Sequence, residues 1–263
     1  MKQNSDIVEN RRKQIYEALS AQGEIRVDAI ASDFKVSSLT IRRDLDHFEE
    51  LGLIERFYGG ARIIKKKPDD NIHCSPHEQS KHAIARQAAT LVENGDIIFI
   101  NTSSTALLML DYIEAHHVTV ITNNGKILLR CFKSNLNVVL TGGELRIPKE
   151  SMVGDFALNN LNMVTATKSF IGVSGLTAHE GATTSILQEA AVNELMLTRV
   201  KGKRTILADN SKIGHHSNFI SGGLDKVDRL ITDTQADTKA LEEIRARGVE
   251  IIQVDPVRST HSY

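Results

Sequence analysis

Seven short apolar runs, separated by stretches of helical periodicity, constrain residues 81 onward more than any other feature of this chain. The runs are DIIFIN (96–101), VTVIT (118–122), NVVLTGG (137–143), KSFIGVSG (168–175), RTILAD (204–209), RLITD (229–233) and VEIIQVD (249–255). Each has the length of a strand and is apolar at consecutive positions, the mark of a strand buried on both faces. Amphipathic stretches at 105–115, 186–200 and 238–247 lie between them. Strands joined by helices cross over and pair in parallel, so the region is expected to form a mostly parallel α/β sheet covered on both sides.

A chain of 263 residues exceeds the usual single domain, so a small domain joined to a larger one is allowed. The segment KKKPDDNIHCSPHEQ (65–79) breaks all periodicity with charge and two prolines, and it reads as the connector. The expected organisation is residues 1–64, a linker over 65–80, and an α/β domain over 81–263. No long uncharged apolar run is present, which removes a membrane-spanning helix. The polar start MKQNSDIVENRRKQ lacks the apolar stretch of a secretory signal, so a cytoplasmic location is expected. Cys74 and Cys131 are too few and too far apart for a disulfide framework or a CxxC metal site, and both are expected as free thiols. There is no internal repeat.

The first 64 residues read as three helices and a hairpin. Ile15, Ala18 and Leu19 fall at helical spacing before Gly23, a helix stop. Val27, Ile30, Ala31 and Phe34 follow i, i+3, i+4, i+7. After a break at Lys35 and Val36, Ser37 or Ser38 can cap a third helix whose inward stripe is Ile41, Leu45 and Phe48. Those positions turn Ser38, Leu39, Arg42, Arg43 and Asp46 outward. A short helix, a tight turn and a second helix with exposed hydroxyl and arginine side chains is the helix-turn-helix arrangement, which fits a DNA major groove. Arg42 and Arg43 can donate to guanine edges or phosphates, and Ser37, Ser38 and Thr40 to phosphate oxygens. GLIERFYGGARII (52–64) supplies two apolar-alternating runs around Gly59 and Gly60, a wing beside that helix. Arg56, Arg62 and Lys65 to Lys67 can meet the flanking backbone. Net charge decides little: residues 1–67 carry 13 Lys and Arg against 11 Asp and Glu, a bias too small to mark a nucleic-acid binder without such placement.

The stretch from Arg11 to Ala61 resembles the amino-terminal domain of the DeoR family of bacterial transcriptional regulators, with its VSxxTIRRDL helix and R-x-[HY]-GGA wing. Residue by residue, the resemblance places Val36, Ser37, Thr40, Ile41, Arg42, Arg43, Asp44 and Leu45 in the recognition helix. It places Arg56, Tyr58, Gly59, Gly60 and Ala61 in the wing, with tyrosine where the family often has histidine.

In the larger region the loops after five apolar runs are small and polar: NTSST (101–105), TNNG (122–125), TGGE (141–144), VSGLTAHEGATTS (173–185) and ADNSKIG (208–214). In a parallel sheet all five gather at the carboxyl edge, where open α/β folds bind ligands. Ser103, Ser104 and Thr105 can hold a phosphate through hydroxyl and backbone donors, and Lys212 can neutralise its charge. The region is similar to the DeoR-family sensor domain, related in fold to ribose-5-phosphate isomerase and typically responsive to a phosphorylated sugar. Matching positions include Thr122, Asn123, Thr141, Gly142, Gly143, Gly154, Gly172, Gly181, Thr183, Glu189, Asp209, Ser211, Lys212 and Gly214. The effector site is therefore expected to comprise Asn101, Thr102, Ser103, Ser104, Thr105, Thr122, Asn123, Gly142, Gly143, Gly175, Thr183, Glu189, Asp209 and Lys212. Where the family commonly reads D-x-G-[ST]-T, this chain has Asn101-Thr102-Ser103-Ser104-Thr105, an amide replacing a carboxylate and serine replacing glycine.

The alternative is a sugar-phosphate isomerase-like enzyme with an accessory DNA-binding domain. Such chemistry needs a positioned base, and Glu189, Asp209 and Lys212 are the candidates grouped by motif. The pairs His116-His117 and His215-His216 belong to no HExxH or Cys/His ligand set, and no nucleophile elbow is present. The expectation is a non-enzymatic repressor of carbohydrate metabolism, without cofactor or metal. Its partners would be an operator duplex, a phosphorylated sugar and further copies of itself as a dimer or tetramer.

Overall fold

In a computed structural model the described residues are 11, 12, 14–16, 18, 19, 23–50, 54–57, 59–63, 76–130, 135–147 and 149–256, with only the backbone described at Arg43, Asp46, His47, Glu49, Glu50, Glu55, Arg56, Ile63 and Pro76. The chain divides into two compact units, Met1–Asn71 and Ile72–Tyr263.

In the first unit the helical residues 11, 12, 14–16, 18 and 19 (α1) bury Ile15 and Leu19 completely. Helix α2 (Val27–Asp33) buries Val27, Ile30 and Ala31. Lys35, at φ 52°, reverses the chain into α3 (Ser38–Glu50). That helix buries Ile41, Leu45 and Phe48, one stripe at i, i+4, i+7. Strands β2 (Ile54–Phe57) and β3 (Gly60–Ile63) form the expected antiparallel hairpin. A third strand, β1 (Glu24–Arg26), pairs with β3 to give the order β1-β3-β2. Three residues carry no readable periodicity, so this strand was absent from the sequence expectation.

The second unit is built on a seven-stranded parallel sheet of order β15-β14-β12-β9-β4-β5-β6. Its strands are β4 (Ile97–Ile100), β5 (Val118–Thr122), β6 (Leu136–Leu140), β9 (Lys168–Gly172), β12 (Arg204–Leu207), β14 (Arg229–Asp233) and β15 (Glu250–Val254). All seven expected strands are present. Successive side chains alternate between faces: Ile98, Ile100, Val120, Phe170, Leu207 and Ile231 join one apolar cluster, while Phe99, Ile121, Ile171, Ile206 and Leu230 join another. The first cluster packs under α4 (Pro76–Ala89) and α5 (Ser104–Met109). The second packs under α6 (Asp155–Asn162), α7 (Leu187–Thr198) and α8 (Thr238–Arg245).

Three expectations need correction. Residues 76–80, expected in the linker, are the first turn of α4. Proline is tolerated there because first-turn N–H groups have no helical acceptor. The helix expected over 105–115 ends at Met109 and continues as tight turns, in which Leu110, Asp111 and Tyr112 donate to carbonyls three residues back. The polar segment 173–185, read as a loop, contains β10 (Gly175–Thr177) and β11 (Gly181–Thr184), which pair with each other, and β11 pairs with β13 (Phe219–Gly222) to complete a second, antiparallel sheet. A further hairpin joins β7 (Glu144–Arg146) to β8 (Ser151–Val153).

Charged groups brace the amino edge of the large sheet. Lys168, opening β9, donates to Asp96, Glu93 and the Leu91 carbonyl at 2.8–2.9 Å. Burial alone would raise the Asp96 pKa, but bonds from Lys168, the Glu93 amide and Thr167 hold it below the ordinary carboxylate value. Arg204, opening β12, grips Asp228 with two side-chain bonds of 2.8 and 2.9 Å and holds its pKa down. The opposite, carboxyl edge carries the polar loops.

Candidate functional site

In the first unit Ser37 is the residue that caps α3: its hydroxyl accepts from the Thr40 amide at 3.2 Å and lies 2.9 Å from the Thr40 hydroxyl. Ser38 instead donates to Asp28 of α2 at 3.1 Å, fixing the angle between the two helices. Both serines stay near the surface, so they set the helix start and still present lone pairs. Leu39 is 58 % exposed on the side of α3 away from Ile41 and Leu45, and Arg42 is exposed one turn later, flanking that buried stripe. The side chains of Arg43 and Arg56, and all of Tyr58 and Lys65 to Lys67, lie outside the described residues. Arg62 is exposed on β3.

One residue of the motif serves the inside. Asp44 is 2 % exposed and accepts from Arg11 Nε at 2.6 Å and Arg12 Nε at 3.0 Å. A carboxylate in that position would be costly without partners, and the two arginines tie α1 to the back of α3. The wing turns at Gly59, whose φ of +82° is left-handed. At Gly60 a Cβ would sit 2.3 Å from the Ile25 carbonyl oxygen and 2.5 Å from the Phe57 ring, so only glycine lets β1, β3 and Phe57 close together.

In the second unit the strand order reverses between β4 and β9, and the carboxyl ends of those two strands define the crevice expected for a ligand. Asn101 stands at its base, 3 % exposed. Its Nδ2 donates to the Gly172 carbonyl at 2.8 Å and to Asn193 Oδ1 at 2.9 Å. Its Oδ1 accepts from the Gly172 amide at 3.0 Å and the Ser103 amide at 3.3 Å. Both donors and both acceptor sites are spent. Asn101 therefore joins β4, β9 and α7 as a staple whose hydrogen-bonding groups are met within the fold. Ser103 caps α5 and sits directly over Gly172, where a Cβ would fall 2.0 Å from its hydroxyl oxygen.

Other expected site residues are also committed internally. Thr183 and Gly175 face each other across the β10–β11 hairpin. Thr183 donates to the Gly175 carbonyl at 3.0 Å and accepts from the Ser217 amide at 2.9 Å. Gly175 is glycine because a Cβ would meet the His215 carbonyl oxygen at 2.4 Å. Asp209 caps the short turn at Asn210–Lys212, accepting from the amide and hydroxyl of Ser211, with His77 of α4 3.6 Å away. Thr122 accepts from the Asn124 amide, and Gly142 and Gly143 take left-handed φ values of 67° and 112° in the turn after β6. These residues shape the edge.

What remains available is a smaller set. Thr102, Ser104 and Lys212 make no side-chain hydrogen bond or ion pair among the described residues, and Ser104 is exposed. Thr105 is buried in the first turn of α5. Among the described residues, Glu189, 4 % exposed, accepts from Thr184 through one oxygen while Oε1 has no partner, and Asn123 uses Nδ2 on the Met152 carbonyl while Oδ1 has none. Such atoms are expensive to leave dry. Sequence reasoning missed Asn193 and His77. Glu189 and Asn193, buried four residues apart on a mostly apolar helix, were the signal available for the former.

A winged helix-turn-helix unit joined to an α/β unit with a polar carboxyl edge defines a class of ligand-responsive DNA-binding regulators. Two family models match the chain: the DeoR-like helix-turn-helix domain over residues 11–67 and the DeoR C terminal sensor domain over 76–234. The chain belongs to the DeoR family of transcriptional regulators. It is 32% identical over 253 residues to the uncharacterized HTH-type transcriptional regulator YulB of Bacillus subtilis, covering 94% of this chain and 97% of that protein. It is 35% identical over 239 residues to the lactose phosphotransferase system repressor of Streptococcus mutans, covering 88% and 94%. Among solved structures, ribose 5-phosphate isomerase A from Methanocaldococcus jannaschii aligns with 52% of this chain and 55% of its own at 16% identity and a TM-score of 0.35, too low a likeness to bear on the site.

Proposed function

We propose that this protein represses a carbohydrate-metabolism operon by binding its operator, and that a phosphorylated sugar held at the carboxyl edge of the large sheet sets that affinity. The observation that carries the first part is the outward face of α3, where Leu39 and Arg42 are exposed while Ile41, Leu45 and Phe48 are buried. The relatives support the second part, since they include the lactose phosphotransferase system repressors and a putative repressor of the aga operon from Escherichia coli O157:H7. On this reading Arg42 and Arg43 contact base edges or phosphates, and Ser37, Thr40, Arg56, Tyr58 and Arg62 contact the backbone.

Thr102, Ser104 and Thr105 would hold the effector's phosphate, with Lys212 supplying the charge two strands away, about 10 Å along the sheet edge. Glu189 Oε1 and Asn123 Oδ1 are acceptors suited to sugar hydroxyls. Effector control requires different affinity for the DNA-competent and incompetent states. The protein would act in the cytoplasm, and operator half-sites imply that it works as a dimer or tetramer. The isomerase alternative finds no support among the relatives, which are named as regulators or repressors.

The experiment pairs operator selection from random duplexes with calorimetry against a panel of sugar phosphates. Arg42→Ala with Arg43→Ala should abolish binding to the selected site while leaving sugar-phosphate binding intact, and Lys212→Ala should do the reverse. Unaltered operator binding in the first variant would remove the recognition-helix assignment. A blank across the panel would remove the sensor assignment.

A further inference from the structure

Arg26 closes β1 and immediately precedes α2, outside both the recognition-helix motif and the wing motif. It is exposed, and its guanidinium carbon lies 5.3 Å from the centre of the Phe57 ring, a cation–π contact within the first unit. The Val27 amide donates to the Gly59 carbonyl at 2.9 Å, which pins the strand beside the turn of the wing. A Cβ built on Gly59 would lie 3.6 Å from Arg26 Nη1, so the guanidinium lies against the turn itself. No carboxylate is paired with it among the described residues. The nearby acid Asp28 accepts from Ser38 instead.

A surface arginine ordinarily samples many rotamers and gains little from any one contact. Here the ring restricts it, so less entropy is lost when it binds an anion. On the DNA-binding reading, α3 enters the major groove and the wing beside it meets the flanking duplex backbone. We infer that Arg26 is a further phosphate-contacting residue of the DNA interface, held at the wing turn by Phe57 and Gly59. This rests on the DNA-binding reading above and adds a contact from outside both motifs.

A phosphate contact is independent of base sequence, so the probe is a fluorescein-labelled duplex of random sequence, titrated with full-length protein at several salt concentrations. Each phosphate neutralised contributes about 0.9 to the slope of log affinity against log salt. Arg26→Gln should reduce that slope by about 0.9. The loss of affinity between 50 mM and 200 mM salt, roughly the range used to expose such contacts, then becomes about 3.5-fold smaller than in the wild type. Arg26→Lys should keep the wild-type slope. Far-UV circular dichroism checks that both variants retain the fold. If the wild type binds the duplex and Arg26→Gln matches it in both affinity and slope, the inference is wrong. If the wild type fails to bind duplex DNA even at low salt, the DNA-binding reading falls and the Arg26 contact falls with it.

Discussion

Replacing Asn101 by alanine tests whether the base of the crevice is a structural staple or a ligand contact. The change deletes four hydrogen bonds of 2.8–3.3 Å and leaves the Gly172 amide, the Gly172 carbonyl and Asn193 Oδ1 buried without that partner. Each such group costs about 1–3 kcal/mol when unsatisfied. The half-buried Ser103 amide can recover a bond to water, and a single water entering the vacated space would restore part of the rest. The expected loss is about 3–5 kcal/mol, or roughly 10 °C in melting temperature for a unit of this size. The chain contains no tryptophan, so the assay is thermal and urea unfolding of the full-length protein followed by far-UV circular dichroism. Asn101→Asp adds a sign. Aspartate can still accept from the Gly172 and Ser103 amides but cannot donate to the Gly172 carbonyl while ionised. Burial and that carbonyl raise its pKa in the folded state, so the deficit should be small at acid pH and grow as pH rises past the unfolded value. An alanine variant within about 1 kcal/mol of wild type, inside the range of ordinary surface changes, would refute the staple and return Asn101 to the ligand.

Three further predictions follow from packing and charge. Gly172→Ala should cost about 2 kcal/mol, because the added methyl falls 2.0 Å from Ser103 Oγ and 2.1 Å from Ser103 Cβ. Ser103→Gly in the same chain should recover most of that, since the three nearest atoms all belong to Ser103; additive melting shifts would count against the clash. Asp44→Ala should lower the stability of the first unit by about 2 kcal/mol, less than for a fully buried pair because Arg12 is 31 % exposed. Operator affinity should fall with it, and a variant that melts and binds like wild type would show that the Arg11–Asp44–Arg12 clasp holds nothing. The Asp96 pKa is lowered in the fold, so its stabilisation is present above the ordinary carboxylate value and is lost as pH falls below about 4. The Lys168 pKa is raised, burial opposing but bonds to Asp96 and Glu93 prevailing, so that contribution is lost only in strong alkali. Asp96→Asn should flatten the acid limb of the stability curve, and an unchanged limb would place the sensitivity elsewhere.

Much of the fold was legible because its signals are local. Buried parallel strands announce themselves as continuous apolar runs, and Ile41, Leu45 and Phe48 fix one face of α3 from spacing alone. The candidate site was less legible because a polar side chain reveals its chemistry only with its partner. Asn101 meets Gly172 and Asn193 across separations of 71 and 92 residues, and Arg11 meets Asp44 across 33. Residues 175–184 looked like a ligand loop because glycine and threonine favour turns, yet 175–177 and 181–184 pair with each other as a hairpin around the turn at 178–180, and β11 then pairs with β13. The turn signal marks 178–180, and the strands beside it were missed because three or four residues carry too little periodicity to read.

On the proposed function, one chain couples operator binding to a phosphorylated sugar. The direct measurement is fluorescence anisotropy of the full-length protein on its selected operator, repeated with each member of a sugar-phosphate panel and with the corresponding unphosphorylated sugars. The account predicts that at least one phosphorylated sugar shifts operator affinity by about fivefold or more, that its unphosphorylated counterpart does not, and that Lys212→Ala removes the shift. Operator affinity indifferent to every sugar phosphate at saturating concentration would contradict it.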